Sequence, residues 1–479
     1  MPSRALSSLD FLWLAFVLMV VLALAFLLPV TPQDYWWYLR IGQDTLAAGA
    51  VPTVDKLSYS QAGAPMVYHS WGAAVLFYLL YQAGGLTLTV LLRGLLLAIA
   101  YALVWLIARR LGAGRIPTAL VLLLAVLVSS SNWSVRPQLF AYPLFALALY
   151  LLYCWEEGQS KAVLWLPLLG FLWVNLHGSF VVLFLLTGAA LVFGRGERRL
   201  LALVLGGALL ATMLNPRGAG AWAYVYHSLT IASNRFSAEW HPPINEGWQM
   251  HLFFLWLLAF PLLVAFSPRK LLLLEWAWFL GFGFLALWGV RYGIWFVFLL
   301  TVQTARLLTP EQVTFPASKE PQGEHIRWRF LPWVLVGLLL LLPFPLLPGV
   351  RETWQPDAPP ATENTPIAAT TWLAAHPELS GPLWAEIGFA SYLEFALPSR
   401  PPWMDTRFEL FTVEQWEAYR AVSQARYNWQ ELLDKNKINL LMVSVQEQPL
   451  LLQALSVNAT WCEVYRDEIA VIYRRCGGE

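Results

Sequence analysis

Long apolar runs separated by short polar segments fill the first two-thirds of the chain. The first spans Phe11 to Val30, and others follow at about 86–108, 117–131, 138–153, 162–176, 179–193, 200–215, 250–266, 271–288, 290–306 and 331–348. About 20 apolar residues in a helix cross roughly 30 Å of hydrocarbon. The pattern predicts an α-helical polytopic membrane protein, with about eleven transmembrane or re-entrant helices over residues 1–349. Runs inside 117–153 and 162–193 are short, so paired short crossings or re-entrant hairpins are expected there. No small-residue cleavage site follows the first run, which therefore reads as a retained helix. A long polar loop, residues 31–85, separates the first two runs. Beyond it the pattern changes again near Val350. Residues 350–366 are Pro-rich and polar and predict a linker. From 367 to 479 helical and strand patterns alternate. Helices are expected near 366–376, 389–397, 413–424, 428–435 and 448–456, and strands at 382–386, 401–405 and 439–445. A hairpin should join 461–466 to 469–474, turning at Asp467. That order predicts a small soluble α/β domain.

Composition sharpens this picture. Hydrophobic residues make up 58% of the chain and charged residues 13%, about half the share usual in soluble proteins. A formal charge of +1 with no basic stripe argues against nucleic acid as a partner. Three cysteines make neither a disulfide framework nor a zinc site, although Cys462 and Cys476 could pair in an extracytoplasmic domain. Lys and Arg in short loops set orientation. With the N-terminus cytoplasmic, that side receives Arg4, Arg109, Arg110, Arg115, Lys161, Arg195, Arg198, Arg199, Arg269, Lys270, Arg306, Lys319, Arg327 and Arg329. The outer loops receive only Arg40, Lys56, Arg136, Arg217, Arg235 and Arg291. The C-terminal domain is accordingly expected outside.

On the outer side the polar residues are of mixed chemistry. Loop 31–85 opens on Asp34 among Tyr35, Trp36, Trp37 and Tyr38, and continues through Arg40, Asp44, Asp55 and His69. Later outer turns supply Arg136, Asn175 with His177, Asn215 with Arg217, the Glu239-Trp240-His241 triplet, and Arg291. Ionisable groups at helix ends are costly unless they pair or line a wet cavity, which makes them functional candidates. Plain structural uses compete. The Trp pair suits an interfacial belt, Arg40 and Asp44 an i,i+4 ion pair, His177 a turn cap, Asp55 a turn, and Asp405 with Arg407 a structural ion pair. Asp34 has the weakest such alternative, because a belt needs no acid.

These residues resemble a known family. The order Asp34, Trp36-Trp37, Gly42, Pro52 with Asp55, Ser58, then His69 with Trp71 is similar to the first outer loop of GT-C membrane glycosyltransferases. It is most similar to a bacterial polytopic group with an Asp-x-Trp-Trp loop. WVNLHGS around His177, LNPRG around Arg217, Glu239-Trp240 and PPWMDTRFELF (401–411) extend the resemblance over nearly the whole chain. It implies a GT-C-like fold in a bacterial plasma membrane and transfer of a sugar from a polyprenyl-phosphate donor to a glycan, lipid or protein acceptor at the outer face. Asp34 matches the catalytic carboxylate, with His69 as second candidate. Arg136, Arg217 and Arg291 suit a departing phosphate, and His177 a proton donor. Trp36 or Trp37 suits the sugar ring, with Arg40, Asp55 and Glu239 among the substrate-binding candidates. Asp34 is followed by Tyr35 rather than by a second acid, so a divalent metal stays open but is not supported by an acidic pair, and no cofactor is assigned. A transporter or flippase of lipid-linked substrates, or a non-catalytic assembly subunit, remains open as an alternative. The first would be expected to show inverted repeats and midplane charges.

Overall fold

The computed structural model describes residues 6–310 and 330–477; Arg4, Lys319, Arg327 and Arg329, used above for orientation, lie outside them. The helices are α1 (Ser8–Leu27), α2 (Tyr35–Ala48), α3 (Trp71–Arg110), α4 (Arg115–Ser129), α5 (Gln138–Glu156), α6 (Leu166–Leu176), α7 (Val181–Phe193), α8 (Arg198–Ala211), α9 (Gly220–Thr230), α10 (Gly247–Phe266), α11 (Leu273–Trp288), α12 (Gly293–Leu307), α13 (Leu331–Leu341), α14 (Pro348–Trp354), α15 (Ile367–Ala375), α16 (Ile387–Ala396), α17 (Val413–Ser423), α18 (Trp429–Lys435) and α19 (Pro449–Ser456). The strands are β1 (Leu383–Ala385), β2 (Leu440–Ser444), β3 (Trp461–Arg466) and β4 (Ala470–Arg475). Each predicted apolar run falls on a helix. Among the described residues, five helices are long and apolar enough to cross a bilayer, or six if a pair bent by 75° at residues 346–348 counts as one span. The protein is thus a multi-pass membrane protein. The apolar stretches containing α6, α7 and α11 are shorter than a full crossing.

The chain packs as two units. The first comprises residues 1–28, 86–219 and 239–358. Its core runs through α12, whose residues are buried throughout, packed on α4 and α11. Its outside is apolar: Leu203 is 75% exposed, Leu258 72% and Phe266 85%. Water would penalise such a surface, whereas lipid does not. Charges within this unit are neutralised in pairs, with Arg109 on Asp10 (2.7 Å), Arg195 on Glu156 (2.8 Å) and Arg306 on Glu275 (2.6 Å). Glu275 is fully buried, paired with Arg306 and accepting from the Tyr153 hydroxyl. The pairing compensates an acid that would otherwise sit unpaired in apolar surroundings. Arg93 donates to the carbonyls of Ala25 and Leu28, satisfying the open end of α1.

The second unit comprises residues 29–85, 220–238 and 359–479, so loop 31–85 packs with the tail. The segment α3 belongs to both units and breaks at their boundary, where Gly85 has φ 59° and ψ −147°, a combination open essentially to glycine. Helix α2 packs on α16, and a Cβ at Gly42 would lie 2.3 Å from the Ala74 carbonyl oxygen, so only glycine permits that approach. The sheet runs β1-β2-β4-β3, with β1 parallel to β2 and the remaining neighbours antiparallel. Asp467 closes the β3–β4 turn by accepting from the Ile469 and Ala470 amides. Cys462 and Cys476 are joined in a disulfide. The strand expected at 401–405 is a correction: only an isolated bridge between Leu383 and Pro402 forms. Pro401 and Pro402 have no N–H to extend a ladder, and the chain leaves the sheet as an ordered loop.

Candidate active site

Asp34 immediately precedes α2 but does not cap it with its side chain. Its Oδ1 instead accepts a hydrogen bond from the Thr406 hydroxyl at 2.6 Å. Thr406 in turn accepts from the Trp37 indole N–H at 3.2 Å, and the Trp37 amide donates to Ser391 at 3.2 Å. The tail of the second unit therefore orients the carboxylate that the sequence singled out. Trp37 is stacked on Tyr38, and Trp36 is 2% exposed among Tyr81, Tyr392 and Phe395. Both rings pack inside the unit instead of presenting a face for a sugar.

Thr406 is held by its neighbours. The Arg407 guanidinium donates to Asp405, to Asp55 at 2.6 Å and to the Tyr68 hydroxyl at 2.9 Å, and lies 3.6 Å from Glu394. All four charged side chains are fully buried. Asp55 also accepts from the Leu57 and Ser58 amides and the Ser58 hydroxyl. Its ligand-binding expectation thus gives way to the turn-and-ion-pair use. Burial and the negative Asp405 push the Glu394 carboxyl well above the usual range, against the pull of Arg407. Arg40 pairs with Asp44 at 3.0 Å on α2, which is the i,i+4 alternative.

His69 stacks on Tyr224 with ring centroids 4.4 Å apart, and the Tyr224 hydroxyl donates to Glu409 Oε1 at 2.9 Å. Burial pushes the Glu409 carboxyl up, and the charge of Asp34 adds to the rise. Thr406, Glu409 and Tyr224 were missed by sequence reasoning. The one signal for the first two was the PPWMDTRFELF motif, in which Asp405 and Arg407 drew notice instead.

In the first unit, three predicted residues come together. Arg136 pairs with Glu239, and the Arg291 guanidinium lies over the Trp240 ring, 4.1 Å from its centroid. Burial pushes the Glu239 carboxyl up, but Arg136 and then Arg291 outweigh it and hold the group below the usual range. Gln138 reaches the Arg291 carbonyl at 3.5 Å. His177 caps its own turn, its Nδ1 accepting from the Ser179 amide and lying 2.7 Å from the Ser179 hydroxyl. Arg217 is exposed in a turn whose Asn215 side chain accepts from the Arg217 amide. Asn175 bridges these two turns by donating to the Leu214 carbonyl at 3.0 Å. Among the described residues, no three His, Cys, Asp or Glu side chains converge as metal ligands.

The whole path of the chain matches solved membrane enzymes. The arabinofuranosyltransferase AftD from Mycobacteria superposes with a TM-score of 0.56 at 16% identity, covering 99% of this chain. The chain has the GT-C fold. The GT-C enzyme ArnT from Cupriavidus metallidurans, solved with undecaprenyl phosphate, matches at a TM-score of 0.51 and 16% identity, over 97% of both chains. The oligosaccharyltransferase AglB from Archaeoglobus fulgidus, solved with an inhibitory peptide and a dolichol-phosphate, matches at 0.54 and 11% identity, over 92% of this chain and 69% of its own. This chain spans only 40% of the length of AftD. No protein-family model matches it, and no curated protein matches it in sequence.

Proposed function

We propose that this protein transfers a sugar from a polyprenyl-phosphate donor to an acceptor hydroxyl on the extracytoplasmic face of a bacterial plasma membrane, with Asp34 as general base. The observation that carries the reading is the Asp34 carboxylate, which does not cap its own helix and accepts from Thr406. GT-C neighbours solved with undecaprenyl phosphate and with dolichol-phosphate support the donor class. The acceptor oxygen bonds to the anomeric carbon while its proton passes to Asp34. The bond from that carbon to the phosphate oxygen breaks, and its electron pair stays on the departing polyprenyl phosphate. Direct displacement inverts the anomeric centre.

Negative charge grows on the phosphate as the bond breaks. Arg136 and Arg291, with Glu239 between them in charge, make a set of net positive charge that favours the transition state over the ground state. Holding two guanidiniums near one acid keeps their geometry while leaving charge to meet the phosphate. We place Arg217 and His177 in supporting turns rather than in proton transfer. The N-terminus is proposed inside and the C-terminal residues outside, from the bias of Lys and Arg and from the Cys462–Cys476 disulfide, a bond typical of oxidising compartments.

The test is purified protein in lipid nanodiscs supplied with undecaprenyl-phosphate-linked mannose, glucose or arabinose and octyl-glycoside acceptors. Release of undecaprenyl phosphate together with a new glycoside is expected. Movement of intact donor across proteoliposomes without such release would make the protein a transporter instead.

A further inference from the structure

The turn between α17 and α18 opens onto a cleft that the sugar-transfer reading does not use. It has a volume of about 440 Å³, and its lining lies wholly within residues 403–436 of the second unit. Pockets that hold small molecules run from roughly 300 to 1,000 Å³, so the space suits a compact ligand. The turn is fixed through its backbone. The Ala425 amide donates to the Val422 carbonyl and the Arg426 amide to the Ala421 carbonyl, each at 2.9 Å, with Ala425 at φ 47°. That paired closure of a helix end is usually given to glycine. The Trp429 amide then donates to the Arg426 carbonyl at 2.9 Å. Tyr427 therefore lines the cleft from a held backbone, with its side chain 100% exposed. Trp403, only 4% exposed, lines the same cleft.

The polar lining divides into groups already used and groups left open. Gln415 is occupied by Ser60, Gln61 and the Thr412 amide, and Glu417 pairs with Arg235 at 2.8 Å. Among the described residues, the side chains of Tyr427, Asn428 and Lys435 have no hydrogen-bond partner. Asn436 donates to the Leu432 carbonyl at 2.7 Å, which leaves its Oδ1 able to accept. Glu414 and Glu417 share the lining with Arg426 and Lys435, so its formal charges cancel.

We infer that this cleft binds a neutral saccharide, with the Tyr427 ring against the C–H face of a sugar and Asn428, Lys435 and Asn436 on its hydroxyls. The negative face of an aromatic ring attracts partly positive C–H groups. A sugar hydroxyl both donates and accepts, so it can meet the donor Lys435, the acceptor Oδ1 of Asn436, and the Asn428 amide, which does both. A lining whose charges cancel gives an anion or a cation no field to prefer. The inference goes beyond sugar transfer and does not depend on it.

The test is saturation-transfer NMR on the full-length protein in lipid nanodiscs, with no donor present. The probes are gluco-, manno-, galacto- and arabino-tetrasaccharides, their phosphorylated forms, and tetra-alanine. A neutral tetrasaccharide should bind, and Tyr427→Ala should weaken it about tenfold. Tyr427→Trp keeps an aromatic face and should bind within about threefold of wild type. Because Tyr427 is fully exposed, the melting curves of both variants should coincide with that of wild type. Binding of no neutral tetrasaccharide overturns the inference. Wild-type affinity in Tyr427→Ala also overturns it, by putting the sugar elsewhere. Preference for the phosphorylated forms would make the cleft an anion site, and binding of tetra-alanine alone a peptide site; either result overturns it. None of these outcomes bears on release of undecaprenyl phosphate.

Discussion

At the proposed base, a distant hydroxyl holds one carboxylate oxygen. Thr406 donates to one oxygen of Asp34 across 372 residues of sequence. A hydrogen bond to a charged acceptor contributes about 1.5–3 kcal/mol, so Thr406→Val should lower kcat roughly tenfold to a hundredfold if that bond sets the reactive geometry. The melting temperature should fall as well, since Asp34 and the Trp37 indole N–H lose their shared partner, so kcat is compared on protein shown to be folded. An unchanged kcat would detach Thr406 from the site. Asp34 was legible in the sequence because an acid among four aromatics at a membrane boundary breaks a local rule. Thr406 and Glu409 were not, because nothing local marks a threonine that acts on a residue so far away. Arg136, Glu239 and Arg291 were legible one by one as charged residues near the ends of apolar runs, but their assembly around Trp240 depends on tertiary contacts that no periodicity encodes.

The apolar helices and the strands of the tail were readable from pattern alone. The apolar runs became helices, and β2, β3 and β4 lie where alternation and the Asp467 turn placed them. The failure at 401–405 came from reading alternation past two prolines. That segment instead carries Asp405 and Arg407 inward and Thr406 toward Asp34, which makes it an element of the site. Its anchor depends on charge balance. Glu394 faces Asp405, Asp55, Tyr68 and Arg407, and its raised pKa means the native state holds a proton that the unfolded chain releases. Stability from that proton is complete at acid pH and is lost as pH rises from the ordinary glutamate range through the raised value. Glu394→Gln keeps the group neutral, so its melting temperature should fall less than that of wild type as the pH is raised above the ordinary glutamate range. Parallel melting curves would contradict the assignment. The Cys462–Cys476 bond closes a loop with a sequence separation of 14. Replacing both cysteines with alanine should cost about 3 kcal/mol of stability in the second unit, and reductant should have the same effect on wild type. Melting that is indifferent to reductant would count against a formed bond and weaken the case for an oxidising compartment.

At the scale of the molecule, composition and apolar runs announced a membrane protein, and the fold of GT-C enzymes followed from the path of the chain. Less visible was that loop 31–85 and residues 359–479 pack as one unit, because packing between distant segments leaves no mark in either one. That association joins Asp34, the proposed base, to the Thr406 hydroxyl of the tail. The proposed chemistry rests on Asp34 as its base. Release of undecaprenyl phosphate by Asp34→Asn, purified and shown by melting to be folded as wild type, measures this most directly. The expected result is loss of release by at least about a thousandfold, since an amide cannot accept the acceptor's proton. Release at the wild-type rate would contradict the account.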